Sequence, residues 1–172
     1  MTNDAITTSR PGAPPGRQAR WRLWNLAATA AITCYSTGIA WQAQLVSYPL
    51  FLAVGADDFP AYHQAYHEAI PLVVIVPGFV GFVACTVFPW TRSRDVPRRV
   101  GALVALSGIG AIASTVFWAI PRHDTLDRIG RDVATVQSLL QANALRTAVL
   151  TVGAGALLWS VVRAMTPRPR QA

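Results

Sequence analysis

The sequence predicts an all-α protein, an antiparallel four-helix transmembrane bundle, and three observations carry that prediction. Of its 172 residues 52% are hydrophobic and only 13% charged. No Asp, Glu, Lys or Arg occurs between Leu23 and Phe51, or between Ala69 and Trp90; runs of that length are membrane spans rather than buried core helices. The remaining charge is clustered beside those runs. Fifteen basic residues, every one an Arg, face eight acids for a net charge of +7, and their placement fits membrane topology rather than nucleic-acid binding.

Residues 1–20 are rich in Pro, Gly, Ser, Thr and Arg and lack the apolar periodicity that offsets the entropy of ordering a chain, which predicts a disordered cytoplasmic tail. The apolar stretch that follows is too long for the h-region of a signal peptide and is expected to remain as an uncleaved first span. The four-helix domain covers 21–166, with spans at about 22–50, 69–90, 99–120 and 138–164, each near the roughly 20 residues that cross hydrocarbon. In lipid each backbone must satisfy its own hydrogen bonds, so the spans are helices. Pro71 and Pro77 predict a bend near the outer end of the second. Ser107, Gly108, Gly110, Ala111 and Ser114 in the third, with Gly153 and Gly155 in the fourth, predict close backbone approach. Residues 167–172 form a second tail. Cys34 and Cys85 lie inside apolar segments and read as small core residues, not as a disulfide.

Orientation follows from the arginines. Arg10, Arg17, Arg20 and Arg22 precede the first span, Arg92, Arg94, Arg98 and Arg99 lie between the second and third, and Arg163, Arg168 and Arg170 close the chain. The connection 51–68 has no Arg and carries Asp57, Asp58 and Glu68, while 121–137 balances Arg122, Arg128 and Arg131 with Asp124, Asp127 and Asp132. The positive-inside rule then puts both termini in the cytoplasm of an inner, multi-pass membrane protein. In the outer connections, Phe59-Pro60 after two acids resembles a helix start, so AYHQAYHEAI is expected to extend the second helix outward. The stretch 124–137 reads as a short amphipathic helix leading into the fourth span, with Gly130 opposing one continuous helix.

Polar side chains are costly in lipid, and those within spans face the bundle interior or a wet cavity. Thr37, Gln44 and Tyr48 share a face of the first helix, and Asn143, Arg146 and Thr147 a face of the fourth. His63, His67 and Glu68 approach from the outer start of the second helix, and His123 follows the third. All four helices thus deliver their least lipid-compatible groups to one end. Arg146 needs a partner, and Glu68 and Asp124 are the carboxylates at the right depth. It reads either as a structural clamp or as the holder of an anionic or enolate-like substrate. His63 and His67 are spaced to ligate one metal from successive turns, with His123 as a third nitrogen. Interfacial hydrogen bonding and general acid or base work are the alternatives for the same imidazoles. The six tryptophans fall mostly near span ends, as interfacial anchors do. A phosphate-binding glycine loop, a serine nucleophile elbow and a haem-attachment CxxCH are absent from the sequence.

The run Thr37 to Phe51 (TGIAWQAQLVSYPLF), Phe59-Pro60-Ala61-Tyr62-His63, Pro121-Arg122-His123-Asp124-Thr125-Leu126 and Asn143-Ala144-Leu145-Arg146-Thr147 together resemble, in order, a family of small bacterial four-helix integral membrane proteins of unassigned function. That family is in turn similar to the anthrone-oxygenase-like membrane proteins, which include enzymes oxidising aromatic polyketides with dioxygen. The resemblance implies Tyr48, His63, His123, Asn143 and Arg146 as site residues. The chain departs from the pattern at Ser47, where family members often carry His, and at Ala144 and Leu150, where they carry aromatics; a different ligand surface follows. The expected function is an oxygenase-like enzyme acting on a small hydrophobic aromatic or quinone-like molecule, with His63 or His123 as base and Arg146 and Asn143 stabilising an oxyanion. A non-catalytic assembly partner or small-molecule binder is the alternative. The expected partners are the lipid bilayer and that small ligand, with no nucleic acid. The residues specify no cofactor and no oligomeric state.

Overall fold

The computed structural model describes residues 17–166, all of whose regular structure is helical. The expected tail segments 1–16 and 167–172 lie outside the described residues. Helix α1 runs through Arg17–Gln42, a π turn at Ala43–Ser47 and Tyr48–Ala53, so residues 17–20 are helical and not part of a tail. Helix α2 is Phe59–Ala69. Helix α3 begins with a π turn at Pro71–Ile75 and continues as Val76–Thr91. Helix α4 comprises Arg98–Ser114, a π turn at Thr115–Ala119 and Ile120–Ile129. Helix α5 is Val133–Met165.

Three of these, Pro71–Thr91, Arg98–Ile129 and Val133–Met165, are long and apolar enough to cross a membrane. Helix α1 is not among them, because Asn25, Thr29, Thr33, Ser36 and Thr37 dilute its apolar residues. Its polar groups are nevertheless satisfied within the protein. Ser36 and Thr37 donate to the carbonyls of Ile32 and Thr33 one turn back, Asn25 donates to Thr91 of α3 at 2.9 Å, and Thr33 meets Cys85 Sγ at 3.1 Å. Both cysteines are free thiols.

The long helices pack in a ring: α1 on α3, α3 on α4, α4 on α5 and α5 on α1. Gly108 lets α4 approach α3 so closely that a Cβ there would lie 2.5 Å from the Phe82 carbonyl, and a Cβ at Gly153 would lie 2.2 Å from Ser107 Oγ across the α4–α5 contact. Gly155 faces open space and takes no part in close packing, contrary to its expected role. At one end of the ring, Arg22 donates to the carbonyl of Arg92 at 2.6 Å, and Leu23, Ser93, Trp159 and Arg163 line one shallow recess. The arginine-rich start of α1, the α3–α4 connection and the end of α5 therefore share that end. The core at the opposite end is built around Phe51, Phe59, Leu126, Val136 and Leu139.

The segments that join the long helices at this end depart from expectation. The amphipathic stretch belongs to α4, not to the fourth span: α4 passes through Pro121 and stops at Gly130, whose φ of 77° is one that a side chain would strain. Asp132 then caps α5 by accepting from the Thr135 N–H at 2.8 Å, so that helix starts at 133 instead of 138. Phe59–Ala69 is a separate helix that joins α3 through a bend at Ile70.

Each π turn immediately precedes a proline by one residue: Pro49, Pro77 and Pro121. Proline lacks an N–H and its ring would strike the carbonyl four residues back in an α-helix. The wider turn relieves that clash, with Tyr48, Val76 and Ile120 bonding instead to the carbonyls of Ala43, Pro71 and Thr115 five residues earlier. Pro77 cannot bond the carbonyl of Val73, and the Tyr35 hydroxyl of α1 donates to it at 2.8 Å, satisfying a group that hydrocarbon would leave unpaired.

Candidate functional site

The three π turns surround a cavity of about 390 Å³, within the roughly 300–1,000 Å³ typical of small-molecule sites. Its inner wall is apolar, with Ile39, Val74, Phe79, Phe82 and Leu150. Tyr48, Tyr66, His67, His123, Asp124 and Arg146 form its polar end. Of the residues expected there, Tyr48, His123 and Arg146 line the cavity, whereas His63 and Asn143 are fully enclosed behind the wall at 1% and 0% exposure. Both side chains thus stand behind the cavity wall, not on it as the sequence led one to expect.

Asn143 donates to the Ala40 carbonyl at 3.0 Å and to Gln44 Oε1 at 2.8 Å, tying α5 to α1 at the first π turn. Its carbonyl oxygen accepts from Arg146. Arg146 also donates to Thr115 Oγ1 at 3.2 Å and reaches Tyr48 Oη at 3.5 Å. These partners are all neutral. Among the described residues no carboxylate forms an ion pair with Arg146: Glu68 instead accepts from Gln64 at 3.2 Å, and Asp124 lies across the cavity wall without bonding it. Glu68 fails as a partner because α2 turns it outward while it turns His63 and His67, four residues apart, inward on its other face.

The imidazoles converge. His63 Nε2 lies 3.0 Å from His123 Nδ1, His67 Nε2 lies 3.3 Å from the same atom, and His123 Nε2 is 3.4 Å from Tyr48 Oη. Asp127, one turn beyond His123 on α4, holds the pair from behind: His63 Nδ1 is 2.7 Å from Oδ1 and His67 Nδ1 is 3.6 Å from Oδ2. Burial pushes the His63 imidazole below its usual pKa, with the Asp127 hydrogen bond opposing. Burial also pushes the Tyr66 phenol above its ordinary value. Phe51, fully buried, sets its ring edge-on to Tyr62, His63, Tyr66 and His123. The sequence reading missed Asp127, Thr115, Tyr66 and Phe51. The signal for Asp127 was present: His123 and Asp127 are spaced i, i+4 and share a face once 121–129 is read as a continuation of α4.

One side-chain set on the described residues suits a metal ion, His63, His67 and His123, whose ligand atoms all lie within 4.8 Å of one another. With an acidic residue fixing two of the rings, and a guanidinium and a phenol beside the third, the arrangement can take a proton from a bound molecule and steady the anion that results. Comparison with protein-family models, with curated proteins and with solved structures finds no match to this chain.

Proposed function

We propose that the protein is an inner-membrane enzyme of the anthrone-oxygenase-like kind. Its four long helices would cross the bilayer as an antiparallel bundle with both termini cytoplasmic, α1 completing the set because its polar groups are bonded internally. The arginine-rich end is then the cytoplasmic one. Leu72, Trp90, Leu106 and Phe117 are among the outward-facing apolar residues available to lipid.

The substrate in this reading is a small hydrophobic aromatic or quinol-like molecule carrying one acidic hydroxyl. The observation that carries it is a guanidinium without a carboxylate partner on the wall of an otherwise apolar cavity, beside two imidazoles. A half-buried charge left without a counterion on an apolar wall is costly, and an anionic oxygen from a flat apolar molecule supplies the missing one. The imidazole cluster takes up the hydroxyl proton, and Arg146 with Tyr48 meets the oxyanion. Dioxygen is the oxidant that the resemblance implies: a ring methylene and O2 give a ring carbonyl and water.

Arg146→Met and His123→Ala, each checked for insertion and folding in detergent, test the reading by oxygen uptake with hydroxyanthrones and quinols. Loss of one such donor lowers turnover by about 100- to 1,000-fold. Equal turnover in both folded variants and the wild type would remove the site. The same cluster would then serve as a fixed structural or ligand-binding element.

A further inference from the structure

We infer that His63, His67 and His123 bind one divalent first-row transition metal ion through three imidazole nitrogens, with the remaining coordination positions turned toward the cavity. The inference deepens the proposed function and shares its cavity, although binding of the ion can be measured without turnover.

The protons on the rings make the case. A carboxylate oxygen accepts, so His63 Nδ1, at 2.7 Å from Asp127 Oδ1, is the donor of that bond and carries hydrogen. His67 Nδ1 faces the other carboxylate oxygen at 3.6 Å and is drawn to the same tautomer. Both Nε2 atoms are then lone-pair acceptors, and both aim at a single atom, His123 Nδ1, at 3.0 and 3.3 Å. That nitrogen carries one hydrogen at most and cannot serve two acceptors well. A cation accepts all three lone pairs at once, and His123 Nε2–H is then free to donate to Tyr48 Oη, 3.4 Å away.

The spacing agrees. Metal–nitrogen bonds of about 2.0–2.1 Å place neighbouring ligand nitrogens about 3.0 Å apart in an octahedron and about 3.3 Å apart in a tetrahedron. The two separations from His123 Nδ1, 3.0 and 3.3 Å, lie in this range, and all three ligand atoms fall within 4.8 Å of one another. Neutral imidazoles select zinc, copper, iron or nickel over magnesium and calcium. A carboxylate behind two of the rings is the usual second partner of a metal-bound histidine, fixing its tautomer and raising its basicity. His67 and His123 line the cavity while His63 closes the site from behind, so three ligands occupy one side and the open positions face the space beside Arg146. An ion held there would lower the pKa of a bound hydroxyl; the proton would then leave to solvent, and the imidazoles take it up themselves only in the ion-free protein.

The test uses the full chain purified in detergent, loaded with Zn2+ or Co2+ and titrated against a chelating dye. One ion per chain is expected, with visible Co2+ absorption bands indicating nitrogen ligation. His67→Ala, at a side chain 33% exposed and therefore tolerant of truncation, should weaken binding at least 10-fold. Asp127→Asn should weaken it by about 10- to 100-fold. Glu68→Gln, beside His67 but bonded to Gln64, should leave it unchanged. If folded His67→Ala and His123→Ala bind either ion as tightly as the wild type, or if Co2+ shows only its aqueous spectrum, the inference is overturned. Tight binding without oxygen uptake on any substrate sinks the oxygenase reading and leaves the metal site standing. Turnover by a wild type that binds neither ion does the reverse.

Discussion

Asp127 and His63 come from different helices, α4 and α2, and meet at 2.7 Å, with the imidazole enclosed and the carboxylate still 44% open to the surface. The carboxylate thus reaches inward from the rim to fix a ring that cannot be reached from outside. It also turns the far nitrogen of that ring to His123, which shares α4 with Asp127 and is read through Tyr48 to Arg146. Acid, imidazole, phenol and guanidinium form one connected line along the polar end of the cavity.

The line depends on the π turn before Pro121. Pro121→Ala would allow an ordinary α-helical turn, and removal of one residue's worth of rotation would swing His123 by about 100° about the axis of α4. Thermal stability in detergent should be unchanged or higher, since proline is unfavourable within a helix. Binding of a cavity ligand or of Co2+ should fall at least 10-fold. Retention of full binding would show that the turn does not set the register of the site.

Asn143→Ala removes the two bonds that join α5 to α1 and the acceptor that orients Arg146. Interhelical hydrogen bonds in membrane proteins average about 0.6 kcal/mol and reach about 1.7, so a loss of roughly 1–2 kcal/mol is expected from the pair. The midpoint of denaturant unfolding in detergent measures it. Turnover should fall further than stability, because a freed Arg146 no longer holds its place at the cavity wall.

Close packing predicts opposite signs for two glycines. Gly108→Ala forces a Cβ to within 2.5 Å of the Phe82 backbone carbonyl, and rigid backbone cannot yield cheaply; overpacking of this kind costs about 1–3 kcal/mol. Gly155→Ala meets nothing within 4 Å and should be neutral or stabilising by up to about 1 kcal/mol. Comparison of the two melting temperatures decides the matter, and equal effects would contradict the packing described.

Asp132 supplies a pH dependence. Its bonds from the Thr135 hydroxyl and N–H hold the carboxyl below the usual carboxylate range. A carboxylate with a depressed folded pKa stabilises above the unfolded value and loses that contribution as pH falls through the folded one. The protection factor for hydrogen exchange at the first turn of α5 should therefore fall as the pH drops through this lowered carboxyl pKa and show no such step at neutral pH. Asp132→Ala should exchange rapidly throughout.

Much of the helix plan was legible because hydrocarbon imposes it. The charge-free run 69–90 corresponds closely to Pro71–Thr91, and the cost of polar groups in lipid singled out Tyr48, His123 and Arg146, which do share one cavity. The limits of the third and fourth helices were not legible in the same way. Pro121 reads as a stop, yet the π turn at Thr115–Ala119 carries α4 past it to Ile129. The partner of Arg146 was misread for a related reason: depth along the helices placed Glu68 nearby, but the face of α2 on which it sits points away from the cavity.

By itself, the sequence determined the helices and named the side chains that lipid would not accept, because hydropathy and backbone hydrogen bonding are local properties that one residue after another carries. Only the tertiary structure decided which of those side chains met: Asp127 rather than Glu68 behind the histidines, neutral oxygens rather than a carboxylate around Arg146, His63 and Asn143 behind the wall rather than on it. These pairings depend on the rotation and register of one helix against another. A single widened turn changes both, and no local property of either helix records the result.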